Sequence, residues 1–156
     1  AGYEIDPVGA GNLRMERGDP QNAEAAWNRA LVRLPGDPLA LANLASLSLE
    51  QNEPEEAEAL AREALRGDPR SAQAHNTLGL AFFYQERLEE AAAEFDRALE
   101  LAPGYGLAWV NRGRVHARTG RSEAAREAFR KALDLLPEGP TTDRLQAILD
   151  GRLPAD

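Results

Sequence analysis

Residues 72–105 read AQAHNTLGLAFFYQERLEEAAAEFDRALELAPGY, and the same order of small, bulky and turn-forming residues returns on both sides at intervals of 34. Pro35, Pro69, Pro103 and Pro137 mark the interval. With each proline at position 32 of a unit, the chain divides into residues 4–37, 38–71, 72–105 and 106–139 without insertion or deletion. A fixed period of this length is the signature of stacked structural units. Position 8 holds Gly11, Ala45, Gly79 and Gly113, and position 20 holds Ala23, Ala57, Ala91 and Ala125. Position 27 is Ala30, Ala64, Ala98 and Ala132, followed at position 28 by Leu31, Leu65, Leu99 and Leu133. Small side chains therefore recur where two helices must approach closely. Position 24 supplies the bulk beside them as Trp27, Ala61, Phe95 and Phe129, with Ala61 the one weak filling.

Each unit reads as a helix A and a helix B with punctuation between them. Position 15, where helix A should end in a left-handed residue, is Gly18, Asn52, Glu86 and Gly120, and all but Glu86 suit that conformation. Asp19-Pro20, Glu53-Pro54 and Asp37-Pro38 each place an acidic residue before a first-turn proline. Asp6-Pro7 predicts that the first helix begins about a turn late. After Pro137, residues 141–150 carry Leu145, Ile148 and Leu149 at helical spacing, which predicts a polar-backed capping helix over the last unit. Only residues 1–5 precede the first helix, so that end is expected to be either a cut edge of a longer chain or a self-association surface.

Composition agrees with an all-α chain. Alanine and leucine supply 51 of 156 residues while valine, isoleucine and threonine together supply 10, which disfavours a β-sandwich or barrel. The absence of cysteine excludes disulfides and thiolate metal sites, and two histidines are too few for a usual zinc site. A net charge of −8 makes a poor general nucleic-acid binder, and no apolar run is long enough to insert in a membrane. No cofactor is expected. Compartment stays open between cytoplasm and periplasm, since a chain without thiols is indifferent to redox conditions.

Catalysis finds little support. His75 and His116 fall at packing positions 4 and 11 and read as satisfied interior residues, with no nucleophile accompanying either. Gly9-Ala10-Gly11 misses a dinucleotide loop, because Arg14 stands where the third glycine belongs and no strand precedes it. Glu53, Glu55, Glu56 and Glu58 lack the alternating ligands and central glycine of a calcium loop and suit a helix start. The chain is read as a non-enzyme.

The four in-register units resemble the tetratricopeptide repeat over residues 4–139. Departures lie in Pro7 at position 4, Arg14 at position 11 and Arg112 at the usually apolar position 7. The resemblance implies a right-handed α-solenoid of antiparallel helix pairs whose A helices line a concave groove from positions 2, 5, 6, 9, 12 and 13. On these positions the candidate contact residues for a bound protein or peptide are Asn12, Asn43, Asn76, Leu80, Phe83, Tyr84, Val110, Asn111, Arg114 and Arg118. Asn43 and Asn111 can each hold a peptide C=O and N–H, and of the adjacent Phe83 and Tyr84 one is expected to pack inward. Residues 1–105 carry 19 acidic and 9 basic groups, residues 106–156 carry 7 and 9, and Arg114 and Arg118 share one helix face. These two are candidates to receive a partner's carboxylate, unless neighbouring acids already pair with them.

The resemblance also allows one family mechanism to be tested. Repeat domains that clamp the acidic tail of heat-shock chaperones carry cations at places held here by Val8, Gln73 and Thr77, so that function is not expected. Similar units serve bacterial assembly factors for pili, outer-membrane proteins and cytochrome maturation, and nothing in the sequence selects among them. The expected role is an interaction scaffold that binds a partner segment in its groove. The alternative is a self-assembling array, a homo-oligomer built through the N-terminal end or the convex face.

Overall fold

The structure, a computed structural model, describes residues 6–155. Among the described residues there are nine helices and no strand: α1 (Pro7–Glu16), α2 (Pro20–Arg33), α3 (Pro38–Glu50), α4 (Pro54–Gly67), α5 (Ala72–Tyr84), α6 (Leu88–Leu101), α7 (Gly106–Arg118), α8 (Ser122–Leu135) and α9 (Pro140–Leu149). Odd-numbered α1 to α7 are the A helices and even-numbered α2 to α8 the B helices.

Helix starts are encoded locally. The side chains of Asp6, Asp19, Asp37 and Ser71 accept hydrogen bonds from first-turn N–H groups of α1, α2, α3 and α5, satisfying donors that have no partner within the helix. A first-turn proline opens α1, α2, α3, α4 and α9. The late first start is present: α1 begins at Pro7, position 4 of its unit, whereas α3 begins at Pro38, position 1.

Helix A stops through one repeated device. Gly18, Asn52, Glu86 and Gly120 have φ of 72°, 62°, 60° and 73°, so the left-handed turn also forms at Glu86, which sequence preference does not favour. Its closing bond matches the others. Arg87 N–H donates to Phe82 O at 2.9 Å, as Asp19 N–H does to Arg14 O at 2.9 Å and Arg121 N–H to His116 O at 2.8 Å.

Packing follows from the small and large positions. A Cβ on Gly11 would lie 2.3 Å from Trp27 Nε1, and one on Gly113 would lie 2.4 Å from Phe129 Cε1, so these glycines mark the close approach of A to B. In the second unit Ala45 faces the corresponding site, Ala61, and both are fully buried. The alanine that reads as a weak filling is thus accompanied by an extra methyl on the opposite helix. Consecutive helices pack in chain order, and α3 also touches α5, and α5 touches α7. The apolar interior is a string of clusters handed from unit to unit, as expected of a solenoid.

One expectation needs correction. His116 is not a satisfied interior residue: its Nδ1 is buried without a hydrogen-bond partner, and burial, followed by the charges of Arg112 and Arg121, pushes its pKa below the ordinary 6.5. By contrast His75 is partnered, with Nδ1 at 2.7 Å from Glu94 and Nε2 at 3.2 Å from the Pro69 carbonyl. At the C-terminal end α9 (Pro140–Leu149) lies where the capping helix is expected and packs on α8. Pro140 stands at position 1 of a fifth unit, so α9 continues the register as a shortened A helix and buries Thr142, Leu145, Ala147 and Ile148.

Candidate peptide-binding groove

The A helices are stitched to one another by side chains one repeat apart. Position 9 of one unit meets position 6 of the next. Asn43 Nδ2 donates to Asn12 Oδ1 at 2.7 Å, and Ser46 Oγ lies 3.3 Å from Thr77 Oγ1. Asn12 Oδ1 also accepts from Trp27 Nε1 at 3.1 Å, and Gln73 Nε2 donates to Asn43 Oδ1 at 3.2 Å, tying α2 and α5 into the same ladder. At the next step Leu80 has no polar atom to offer. Asn111 Nδ2 turns instead to Asn76 Oδ1 at 2.9 Å, and both asparagines are buried.

This ladder changes what each candidate residue can do. Asn76, Phe83 and Asn111 are 6%, 6% and 8% exposed and form the floor of the groove. Asn12 and Tyr84 are exposed, while Asn43, Leu80, Val110 and Arg114 are half-buried on its walls. Asn12 and Asn43 are engaged in the ladder and retain unused N–H donors. Phe83 packs inward and Tyr84 outward, the two rings meeting edge-on with centroids 5.9 Å apart. Arg114 lies over the Phe83 ring at 4.5 Å and Arg118 over the same ring at 5.6 Å. The Arg118 guanidinium donates to Glu86, and this hydrogen bond holds the Glu86 carboxyl below the usual carboxylate range.

Two recesses open along this surface, and Tyr84 lines both. The larger, of 630 Å³, is bounded by Ser46, Leu49, Glu50, Gln73, Asn76, Thr77, Leu80, Tyr84, Tyr105 and Leu107 from α3, α5 and the start of α7. Burial raises the Tyr105 phenol above its ordinary value, so the hydroxyl stays protonated there. The second, of 490 Å³, lies between α7 and α9 and is bounded by Val110, Arg114, Phe129, Arg144, Leu145 and Ile148 among others. Sequence positions alone pass over the α9 wall and over Tyr105. The signal for the former is Pro140, one period after Gly106, which places Arg144, Leu145 and Ile148 at positions 5, 6 and 9 of a fifth unit.

The outer side of the solenoid has its own recess of 470 Å³ along Asp96, Trp109, Arg112, His116 and Lys131. Arg112, at the usually apolar position 7, pairs with Asp96 there at 2.6 Å. Among the described residues no group of three or more His, Asp or Glu is gathered to hold a metal ion, and no helix is long and apolar enough to cross a membrane.

Comparison with known proteins agrees with this architecture. The crystal structure of TTC0263, a thermophilic TPR protein of Thermus thermophilus, superposes with a TM-score of 0.82 at 25% identity, covering 98% of this chain and 86% of that one. PilF of Pseudomonas aeruginosa gives a TM-score of 0.75 at 28% identity, covering 96% and 70%. YrrB, described as a TPR protein with an unusual peptide-binding site, gives 0.69 at 22% identity, covering 90% and 72%. No curated protein sequence matches. The model of the tetratricopeptide repeat matches three overlapping stretches, residues 8–72, 44–106 and 76–140, and with the ladder and the glycine–aromatic pairs in place the chain belongs to the tetratricopeptide-repeat family.

Proposed function

We propose that the chain is a non-enzymatic scaffold that binds an extended or helical segment of a partner protein in the groove lined by α3, α5, α7 and α9. The observation that carries this reading is the pair of recesses sharing the Tyr84 wall. Their mixture of Leu49, Leu80, Leu107 and Val110 with unused amide and guanidinium donors suits a polypeptide, whose side chains need apolar pockets and whose backbone needs hydrogen bonds. Tyr84, 51% exposed at the centre, is the natural anchor. YrrB, of the same fold, is described as having a peptide-binding site. A photocrosslinking residue placed at position 84 or 107 is expected to form adducts with the partner. The same residue at position 63 on α4 is expected to form none, and the reverse pattern would refute the groove.

A second reading, self-assembly, is favoured by large apolar residues left exposed in the first unit: Leu13, Val32 and Leu34, with Val32 83% exposed. Sedimentation over a concentration series separates the two, because a persistent monomer contradicts assembly.

A further inference from the structure

The stitching rule that joins α1 to α3 and α3 to α5 fails at the C-terminal end in a specific way. Position 9 of the fourth unit is Arg114, and its expected partner at position 6 of α9 is Leu145, an aliphatic side chain. Arg114 is left with one long hydrogen bond, Nη1 to Asn111 Oδ1 at 3.5 Å, and no carboxylate within ion-pair distance among the described residues. Its guanidinium is nevertheless oriented, because it is stacked 4.5 Å from the Phe83 ring centroid and 5.8 Å from that of Tyr84. A stacked guanidinium keeps its N–H edge for an acceptor lying in its plane. Arg144 of α9 lines the same 490 Å³ recess, also without an ion pair among the described residues, above a floor of Val110, Leu145 and Ile148.

A second guanidinium facing the same space repels the first unless an anion lies between them. This region also reverses the charge of the chain: residues 106–156 carry 9 basic and 7 acidic groups, against 9 and 19 in residues 1–105. We infer that the recess between α7 and α9 is a subsite for an acidic side chain of the bound polypeptide, held by Arg114 and Arg144, with a neighbouring apolar side chain seated on Val110, Leu145 and Ile148. The inference rests on the groove reading above and adds the chemistry of the partner: an acidic–apolar segment that enters at the α9 end. It also makes α9 part of the binding site, which a helix serving only to cover the last unit would not be.

The test uses the full chain and a displayed library of random peptides about a dozen residues long, with the enriched peptides resynthesised and titrated by fluorescence anisotropy. Enrichment of Asp or Glu beside Leu, Ile or Phe is expected, together with affinity that weakens as salt rises. Arg144→Glu, a change at an exposed position, is expected to weaken those peptides by about tenfold or more, and Arg114→Gln by a similar factor. Arg130→Glu on the exposed face of α8 is expected to leave them unchanged. Because Arg114 also stacks on Phe83, circular dichroism accompanies each variant, and Arg144→Glu carries the test if Arg114→Gln is unstable. Peptides that depend on Tyr84 but show no acidic enrichment and no response to Arg144→Glu would overturn the subsite while leaving the groove intact. Peptides indifferent to Tyr84→Ala as well would overturn both readings. Displacement of the peptides by a single-stranded RNA oligonucleotide in preference to an acidic peptide would assign the two arginines to phosphate and overturn the inference.

Discussion

Gly79 of α5 and Phe95 of α6 occupy one space: a Cβ on the glycine would fall 2.6 Å from Cε1 of the fully buried ring. The A and B helices can come this close only because one side is bare. Gly79→Ala is therefore expected to destabilise the fold by about 1–3 kcal/mol, the usual consequence of overpacking a filled site. Phe95→Ala opens a cavity and is expected to cost about 3–5 kcal/mol. The two changes together should cost less than their sum, since they recreate the Ala45 and Ala61 arrangement of the second unit. Urea denaturation of the two single variants and the double variant checks this, and strict additivity would mean that the contact is not shared.

His116 occupies position 11, which in the third unit is the buried Phe82. Its pKa lies below the ordinary 6.5 in the folded chain, first through burial and then through Arg112 and Arg121. The unfolded chain then binds the proton more readily, so stability declines as pH falls through 6.5 and continues to decline until the folded histidine is itself protonated. His116→Phe is expected to remove that part of the pH dependence and also the unpartnered Nδ1. Thermal melts between about pH 5 and 8, the range in which an ordinary imidazole titrates, should show a flatter profile for the variant and a higher midpoint at the acid end.

A separate acid-side loss comes from Glu58 on α4. Burial alone would raise its carboxyl, but hydrogen bonds from Gln85 and Arg62 and the charges of Arg87 and Arg62 outweigh burial and hold it below the ordinary 4.5. Arg87 donates to Glu58 at 2.8 Å while lying 4.2 Å over the Phe82 ring, so this carboxylate ties α4 to the turn between α5 and α6. A depressed carboxyl contributes stability that is present above pH 4.5 and lost as pH falls through the folded value. Glu58→Gln should lower stability at neutral pH and reduce the steepness of acid unfolding, readable by circular dichroism during an acid titration.

Much of this fold is legible in the sequence because each rule acts locally. Glycine or alanine at position 8 against bulk at position 24, and an acid followed by proline at a helix start, involve residues whose relation is fixed by one period. The left-handed turn at Glu86 is not legible from residue preference, and forms because the flanking helices impose the same closing bond as at Gly18. The candidate groove is legible only as a set of positions. Facing the groove does not decide reach: Asn76 and Asn111 spend their amides on each other and lie beneath the surface, an outcome that depends on Leu80 having no acceptor one repeat earlier. Arg144, Leu145 and Ile148 escape a reading that stops at the fourth proline, because α9 keeps the register without a B helix to announce it.

Thr77, 3% exposed, joins α5 to α3 through Ser46, whose own hydroxyl donates to Ala42 O at 3.0 Å. Thr77→Val keeps the shape and removes the hydroxyl, so it is expected to lower stability by about 0.5–1.5 kcal/mol. Hydrogen exchange should then show faster opening of α1 to α3 relative to α7 and α8, since the change cuts a link between units. A uniform change across the chain would contradict that assignment.

Tyr84 separates binding from stability. Half of it faces solvent and it lines both recesses, so Tyr84→Ala should alter stability by no more than about 0.5–1 kcal/mol while weakening a groove-bound peptide several-fold or more. Calorimetric titration alongside a melting curve reads both effects on one sample.

If another polypeptide uses the face built from α3, α5, α7 and α9, backbone NMR of the isotope-labelled chain, titrated with a peptide selected against it, will show this residue by residue. Shifts are expected to concentrate at Leu80, Tyr84, Leu107, Val110 and Arg114 and along Arg144 to Ile148, with the exposed faces of α2, α4, α6 and α8 unmoved. Shifts gathered on those outer helices, or along Trp109, Arg112 and His116, with the Tyr84 wall silent, would place the partner elsewhere and refute the groove.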